Sequence, residues 1–445
     1  MPVRNLLIAL GLLAVLGGGV WWSNKHQAAE EAKPQKDDPA APKILAIPDD
    51  QIAQLTLKRK DSDAVVLKKN AQNKWEMAQP KPYRVDPDTV SGITAAINPL
   101  ASTQVVDEKP SNLAQFGLDA PSFELTVTKK DGKSEKLLIG DDAPAGGDVY
   151  AKLESDPRVF TIASFGKTGL DKTAQDLRDK RLLTFDSEKL TRVELDAKKQ
   201  QLEFGKNNQN EWQILKPKPY RADGWQVEEL IRRLREAKMD ASPTDEDSKK
   251  AAAAFGSGAV VGVAKVTDNN GTQTIEVRKS KDDYYAKSSA VEGVFKVASD
   301  MGQGLDKGLD DFRNKKLFDF GFSDPTKVDV TKDGKTVSYA KSADKWFSGP
   351  KQIDPATLQS FIDKLRDLQA ARFVETPFPA SPMMQVTVTA KDGKLVDKVL
   401  IAKQGADWLA RRENETVVSQ PEAKAAEDLV KAFADIKEAA PEKKK

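Results

Sequence analysis

Short runs of apolar residues alternate with polar ones in three groups along the chain. Leu55 and Leu57 are followed by Val65 and Leu67, then by Trp75 and Met77. Val193 and Leu195, Leu202 and Phe204, and Trp212 and Ile214 repeat the pattern. Val328 and Val330, Val337 and Tyr339, and Trp346 give it a third time. A period of two marks half-buried strands, so each group predicts an antiparallel meander. After each meander the period changes to that of a helix. The stripes are Val90, Ile93, Ile97, Leu100; Val227, Leu230, Ile231, Leu234; and Leu358, Phe361, Ile362, Leu365, Leu368. Each is one buried helical face. Asp86-Pro87 and Asp354-Pro355 place an N-cap acceptor before a proline suited to the first helical position, and Asp223 takes the cap place in the second group. A second set of alternating strands closes each group. Asp131-Gly132, Asn270-Gly271 and Asp392-Gly393 supply the positive φ angles of their hairpin turns.

The three groups are copies of one unit. The first copy reads WEMAQPKPYRVD from Trp75, the second WQILKPKPYRAD from Trp212, and the third a shorter WFSGPKQID from Trp346. The tryptophans are 137 (212 − 75) and 134 (346 − 212) residues apart. Copies one and two end alike, in LRDKRLLTFD (177–186) and FRNKKLFDFG (312–321), and these segments are expected to join one copy to the next. The expected fold is α+β, with three tandem repeats over 44–184, 185–319 and 320–437. Each repeat is an antiparallel meander, an Asp-capped helix and a second antiparallel strand group.

Ahead of the repeats, residues 6–22 are apolar or glycine, with Arg4 before them and Trp21-Trp22 at their end. At 1.5 Å per residue they span ~26 Å, enough for the hydrocarbon layer, and the tryptophans suit its interface. Bulky Val20, Trp21 and Trp22 occupy the place where a cleaved leader carries small residues, which favours an uncleaved anchor over a cleaved signal peptide. Residues 1–5 would then be a cytoplasmic start and 23–43, rich in Ala, Pro and charge, a disordered tether. The body would stand on the extracytoplasmic side of a bacterial inner membrane. Residues 438–445 read as a solvated tail.

Composition narrows the chemistry. Lys+Arg number 70 and Asp+Glu 68, interspersed, so no concentrated basic face for nucleic acid is expected. The absence of cysteine removes thiol catalysis and Cys-based metal sites, and a single histidine, His26, removes a His-based triad or a multi-histidine metal site.

The motifs resemble those of the bacterial domain of unknown function 4340 family. They are the Trp–Pro–Asp-capped helix segment (Trp75 to Asp86), a Phe-Gly-Leu-x-x-Pro turn (Phe116 to Pro121), a strand ending LLIG (Leu137 to Gly140), and the LRDKRLL run (Leu177 to Leu183). The likeness is clearest over 45–320, and Phe378 sits in a shortened, Pro-rich version of the turn. The resemblance implies a single-span envelope protein of unassigned activity. Some members are encoded with components resembling gliding-motility-type ABC exporters, which implies an accessory role.

Three patterns imitate active sites. Gly166-Lys167-Thr168 resembles the end of a phosphate-binding loop, but Thr161 stands where that loop needs glycine. Ser338-x-x-Lys341 and Ser342-x-x-Lys345 have a serine–lysine spacing but fall in a strand and turn rather than at a helix start. Asp141, Asp142 and Asp148 lack calcium-loop spacing. No metal, cofactor or catalytic residue is expected. Tyr83-Arg84 and Tyr220-Arg221 recur before a helix start, and an aromatic–guanidinium pair can hold a partner's carboxylate or sugar. Alternatively, each Tyr caps its core and each Arg pairs with an acid of its own repeat. The functional expectation is a membrane-anchored, non-enzymatic binding or accessory protein of the envelope, its partners being the membrane through 6–22 and an envelope protein. The alternative is an envelope hydrolase acting on cell-wall glycans through paired carboxylates.

Overall fold

The computed structural model describes residues 43–440 except 145, 241–243, 323 and 392. The apolar segment 6–22, His26, most of the tether and Asp392 of the third hairpin turn lie outside the described residues. Among the described residues, no helix is long and apolar enough to cross a membrane. The chain divides between 180 and 181 into two compact units. The first holds one antiparallel sheet and the second holds two.

Repeat 1 runs β1 (Ile52–Arg59), β2 (Val65–Lys69), β3 (Trp75–Gln79), β4 (Tyr83–Arg84), α1 (Pro87–Ile97), β5 (Gln104–Asp107), β6 (Phe123–Lys129), β7 (Ser134–Asp142), β8 (Asp148–Leu153), β9 (Val159–Ala163), α2 (Ser164–Leu170) and α3 (Ala174–Leu177). The two strand groups are halves of one sheet, ordered β4-β3-β2-β1-β6-β7-β8-β9-β5. The seam is the antiparallel β1–β6 pair, with Leu55 opposite Val127 and Leu57 opposite Leu125. The inward residues of both halves form one core with Val90, Ile93 and Ile97 of α1. Each of those three is fully buried, worth ~1.5–3 kcal/mol relative to exposure. Asp86 caps α1, its side chain accepting from the Thr89 N–H at 2.8 Å.

Repeat 2 runs β10 (Arg192–Ala197), β11 (Gln200–Lys206), β12 (Trp212–Lys216), β13 (Tyr220–Arg221), α4 (Gly224–Glu236), α5 (Asp245–Ser257), β14 (Ala259–Asp268), β15 (Gly271–Ser280), β16 (Asp283–Ser288), β17 (Val294–Val297), α6 (Ser299–Leu305) and α7 (Leu309–Phe312). Its sheet has the same order without a counterpart of β5. Instead α5, which the alternation does not announce, packs on β15–β17. Thr244 and Asp247 start it with a reciprocal capping box.

Repeat 3 runs β18 (Lys327–Lys332), β19 (Lys335–Ser342), β20 (Lys345–Ser348), β21 (Lys351–Gln352), α8 (Pro355–Asp367), β22 (Ala370–Val374), β23 (Met384–Ala390), β24 (Leu395–Gln404), β25 (Asp407–Arg412), β26 (Val418–Pro421) and α9 (Ala423–Ala434). Where the other copies carry two short helices, α9 packs along α8.

The family-like motifs are folding devices. Gly117, in the left-handed region at φ +64, ends a 3-10 turn. A Cβ on Gly140, the last residue of LLIG, would stand 2.0 Å from the Phe116 carbonyl oxygen. The Phe-Gly-Leu turn therefore lies directly against the LLIG strand, and Phe116 meets Tyr150 edge-on at 5.0 Å.

Candidate functional site

The Tyr-Arg dipeptides form β4 and β13, two-residue strands on the outer side of β3 and β12. In both copies the preceding turn contains a cis peptide bond, at Gln79–Pro80 and Lys216–Pro217. Each two-residue strand is then covered by the segment that ends its own copy. The Asp86 N–H donates to the Leu177 carbonyl at 2.8 Å, and the Asp179 N–H donates to the Arg84 carbonyl at 2.9 Å. In repeat 2 the equivalents are Asp223 to Phe312 at 2.7 Å and Asn314 to Arg221 at 2.9 Å. In repeat 3 they are Asp354 to Lys437 and Ala439 to Gln352, both at 2.9 Å. Residues 177–179, 312–314 and 437–439 are thus one closing strap, written three times. Residues 438 and 439 belong to it, so the C-terminal stretch expected to be a free tail is held to the third repeat over at least this part.

A lead-in strap completes the device. Ile44 donates to Leu100 at 2.8 Å, Leu182 to Ala237 at 2.8 Å, and Leu317 to Leu368 at 3.1 Å. The LRDKRLL and FRNKKLF runs are a closing strap followed at once by the next lead-in strap.

Side chains on the straps decide what each Tyr-Arg pair does. In repeat 1 the Arg178 guanidinium lies over the Tyr83 ring at 4.2 Å. The Arg84 Nε donates to Asp179 at 2.8 Å, and the Asp179 side chain is 1% exposed. Burial holds the pKa of Arg178 below the ordinary arginine value.

Repeat 2 begins in the same way and then departs. Arg313 lies over Tyr220 at 4.5 Å and also over Phe373 of β22 at 3.4 Å. Burial lowers its pKa despite the hydrogen bond to Asp310. Asn314 stands in the place of Asp179, and its amide donates to Asp319 at 2.9 Å. Arg221 therefore turns into repeat 3. Its Nε donates to Glu415 of repeat 3 at 2.7 Å, while its Nη2 donates to the Lys316 carbonyl at 2.6 Å and its Nη1 to Asp319 at 3.4 Å, both at the end of repeat 2. Glu415 also pairs with Arg412 at 3.0 Å, and Arg412 reaches the buried Asp397. In repeat 3 Lys351 and Gln352 replace the Tyr-Arg pair, and Lys351 forms an ion pair with Glu438 on the strap.

The guanidinium groups expected to receive a partner's carboxylate thus already hold carboxylates of their own chain. The residues beside them line an open space between repeats 2 and 3. A cavity of about 950 Å³ is bounded by Lys218, Tyr220, Arg313, Phe373 and Glu375, among others. It shares the walls Tyr220 and Thr416 with a second cavity of about 270 Å³. It also continues past Val374 and Thr416 into a third, of about 610 Å³, at Phe378 and Arg411. Together they form one trough beside β22, the last strand of its sheet. Sequence reasoning missed Arg313, Phe373 and Arg411. Only the recurrence of Arg178 and Arg313 in the junction runs offered a signal.

The imitated active sites have structural places. Gly166-Lys167-Thr168 lies within α2, where Lys167 donates to Ser122 at 3.1 Å. Ser338, Lys341, Ser342 and Lys345 lie on the β19–β20 hairpin. Asp148 accepts from the Thr103 hydroxyl at 2.5 Å. Among the described residues, no group of three or more His, Asp or Glu side chains could hold a metal ion.

A family model described as domain of unknown function (DUF4340) matches residues 75–254 and again 212–392. The chain belongs to the DUF4340 family. No curated protein and no solved structure matches it. Both matches of the DUF4340 model start at the β3-type tryptophan and run on into the following repeat. They therefore include a closing strap, a lead-in strap and the next meander.

Proposed function

We propose that this DUF4340 chain is a membrane-anchored, extracytoplasmic binding protein of the bacterial envelope, serving as an accessory subunit to a membrane complex. An exporter of the ABC type is the partner suggested by the family resemblance. The apolar segment 6–22 supports the anchor. The trough along β22 carries the binding half of the reading, because it is a continuous concave surface walled by two repeats. Tethering beside a membrane partner raises the effective concentration of the two and lets a modest interface suffice.

The glycan-hydrolase alternative needs a carboxylic acid whose pKa is raised. Among the described residues, the carboxyl groups displaced from their ordinary values are all displaced downward, by hydrogen bonds from neighbours. Asp156 beside Arg158, Glu203 beside Lys216 and Asp268 under the Asp186 N–H are examples. That distribution favours binding over hydrolysis.

The test is crosslinking in intact membranes, followed by co-purification of the full chain from detergent. A defined membrane-protein partner, lost when residues 6–22 are removed, is the expected result. Recovery of the chain alone, at every crosslinker length, would exclude the accessory role.

A further inference from the structure

β22 ends its sheet, pairing with β26 on one side; on the other, Ala370 donates to the Lys315 carbonyl at 2.8 Å, and the strand beyond it borders the trough. Natural edge strands are commonly guarded by an outward charge. Here the exposed Arg372 turns back over its own sheet, its Nε donating to Gln420 at 2.9 Å. Phe373 and Val374 then border the trough, and beyond Ala370 no backbone group of β22 is bonded outside the sheet among the described residues.

The far end of the trough has an unusual cation. Arg411 lies over the Phe378 ring at 5.0 Å, and its Nε is buried with no hydrogen-bond acceptor among the described residues. Nearby acids are engaged elsewhere: Glu413 pairs with Lys398, and Glu415 with Arg221 and Arg412. Glu375, just after β22, and Asp311 are trough-wall carboxylates with no ion pair among the described residues. Arg411 lines the trough and has no ion pair among the described residues, so an arriving carboxylate would gain a charge-assisted contact with its guanidinium.

We propose that β22 and its trough bind an extended acidic polypeptide segment as an added strand, with one Asp or Glu side chain seated on Arg411 against Phe378. Main-chain hydrogen bonds to the β22 edge would supply affinity, and the Arg411 seat would fix register. The mixed wall, apolar at Phe373 and Val374 and cationic at Arg411, selects a segment that alternates apolar residues with an acid. This rests on the binding reading above and identifies the class of ligand.

A random twelve-residue peptide library displayed on phage is selected against the full chain in nanodiscs. Enriched peptides should share one acidic residue within an alternating pattern. Arg411→Gln should weaken a synthetic copy at least tenfold, and Glu375→Gln should strengthen it about threefold by removing a like charge. N-methylation of alternate backbone amides on one edge of the peptide should abolish binding. Three results overturn the proposal: no enrichment, equal binding to the Arg411→Gln chain, or indifference to N-methylation. Full competition by free glutarate would also overturn it, since that reduces the site to a carboxylate pocket. Should Arg411→Gln fail to fold, the Glu375→Gln gain decides alone. A membrane partner that co-purifies equally with the Arg411→Gln chain would leave the accessory role standing and remove this site from it.

Discussion

Arg84 and Arg221 occupy the same position in two copies of the same strand, yet they serve different ends. Arg84 turns to the buried Asp179 on the strap of its own repeat. Arg221 finds Asn314 there and reaches the Lys316 carbonyl and Asp319 at the end of its own repeat and Glu415 in the following one. An acid at that strap position receives the arginine of its own copy, and where an amide replaces it in repeat 2 the arginine meets Glu415 of repeat 3. The stacked strap arginine follows the same division. Arg178 lies on Tyr83, whereas Arg313 lies over both Tyr220 and Phe373.

The sharpest break of this contrast is Asp179→Ala. Removing one partner of a buried pair leaves a charge unmet and costs 3–5 kcal/mol in fully buried cases, and the partial exposure of Arg84 places this one at about 3 kcal/mol. Hydrogen exchange resolved along the full chain should show lost protection at the Arg84–Asp179 seam, in β4 and the strap 177–179. Unchanged protection there would count against the Arg84–Asp179 pair as what fastens the strap.

A smaller effect tests the other side. Glu415→Gln should cost about 1.5 kcal/mol, the range of a hydrogen bond to a charged group. In an Asn314→Asp background the same change should cost less than about 0.5 kcal/mol, because Arg221 then has an acid on its own strap. Urea unfolding of the four chains gives the coupling, and additivity of the two changes would refute the rerouting.

The smallest effect is electrostatic and serves as a control away from the straps. Hydrogen bonds from Arg232, reinforced by Arg233, lower the pKa of Glu229 from 4.5 to about 2. Because the folded value lies below the unfolded one, the stabilisation is complete above the ordinary carboxyl range and fades as pH falls toward 2. An NMR titration should place the Glu229 midpoint near 2 and return it toward 4.5 in Arg232→Gln, leaving both strap arrangements unchanged.

Much of the architecture could be read from periodicity, because strands and helices are local. The alternation around Leu55 and Val193, the Asp86, Asp223 and Asp354 caps, and the Asx-Gly turn between β6 and β7 all correspond to elements in place. The fusion of the two strand groups into one sheet could not be read, since β1 meets β6 across a helix and no local pattern names that partner. The helices α5 and α9 were missed because nothing in the other copies prepares for them. The Tyr-Arg recurrence was visible, but its meaning turns on Asp179 against Asn314, one polar side chain some ninety residues downstream. The trough depends on two repeats packing together and has no linear signature.

The paired straps bear on how such a chain could have multiplied. A copy cut out at the end of its last helix would lose the ribbon that seals it, and the next copy would inherit a ribbon that seals nothing. Any gain or loss of a module must therefore carry a closing strap and a lead-in strap together, which places viable crossover points inside the sheet rather than at the visible joints. The matched segments that begin at Trp75 and Trp212 have that staggered phase. Engineered chains with two or four modules should be spliced there as well.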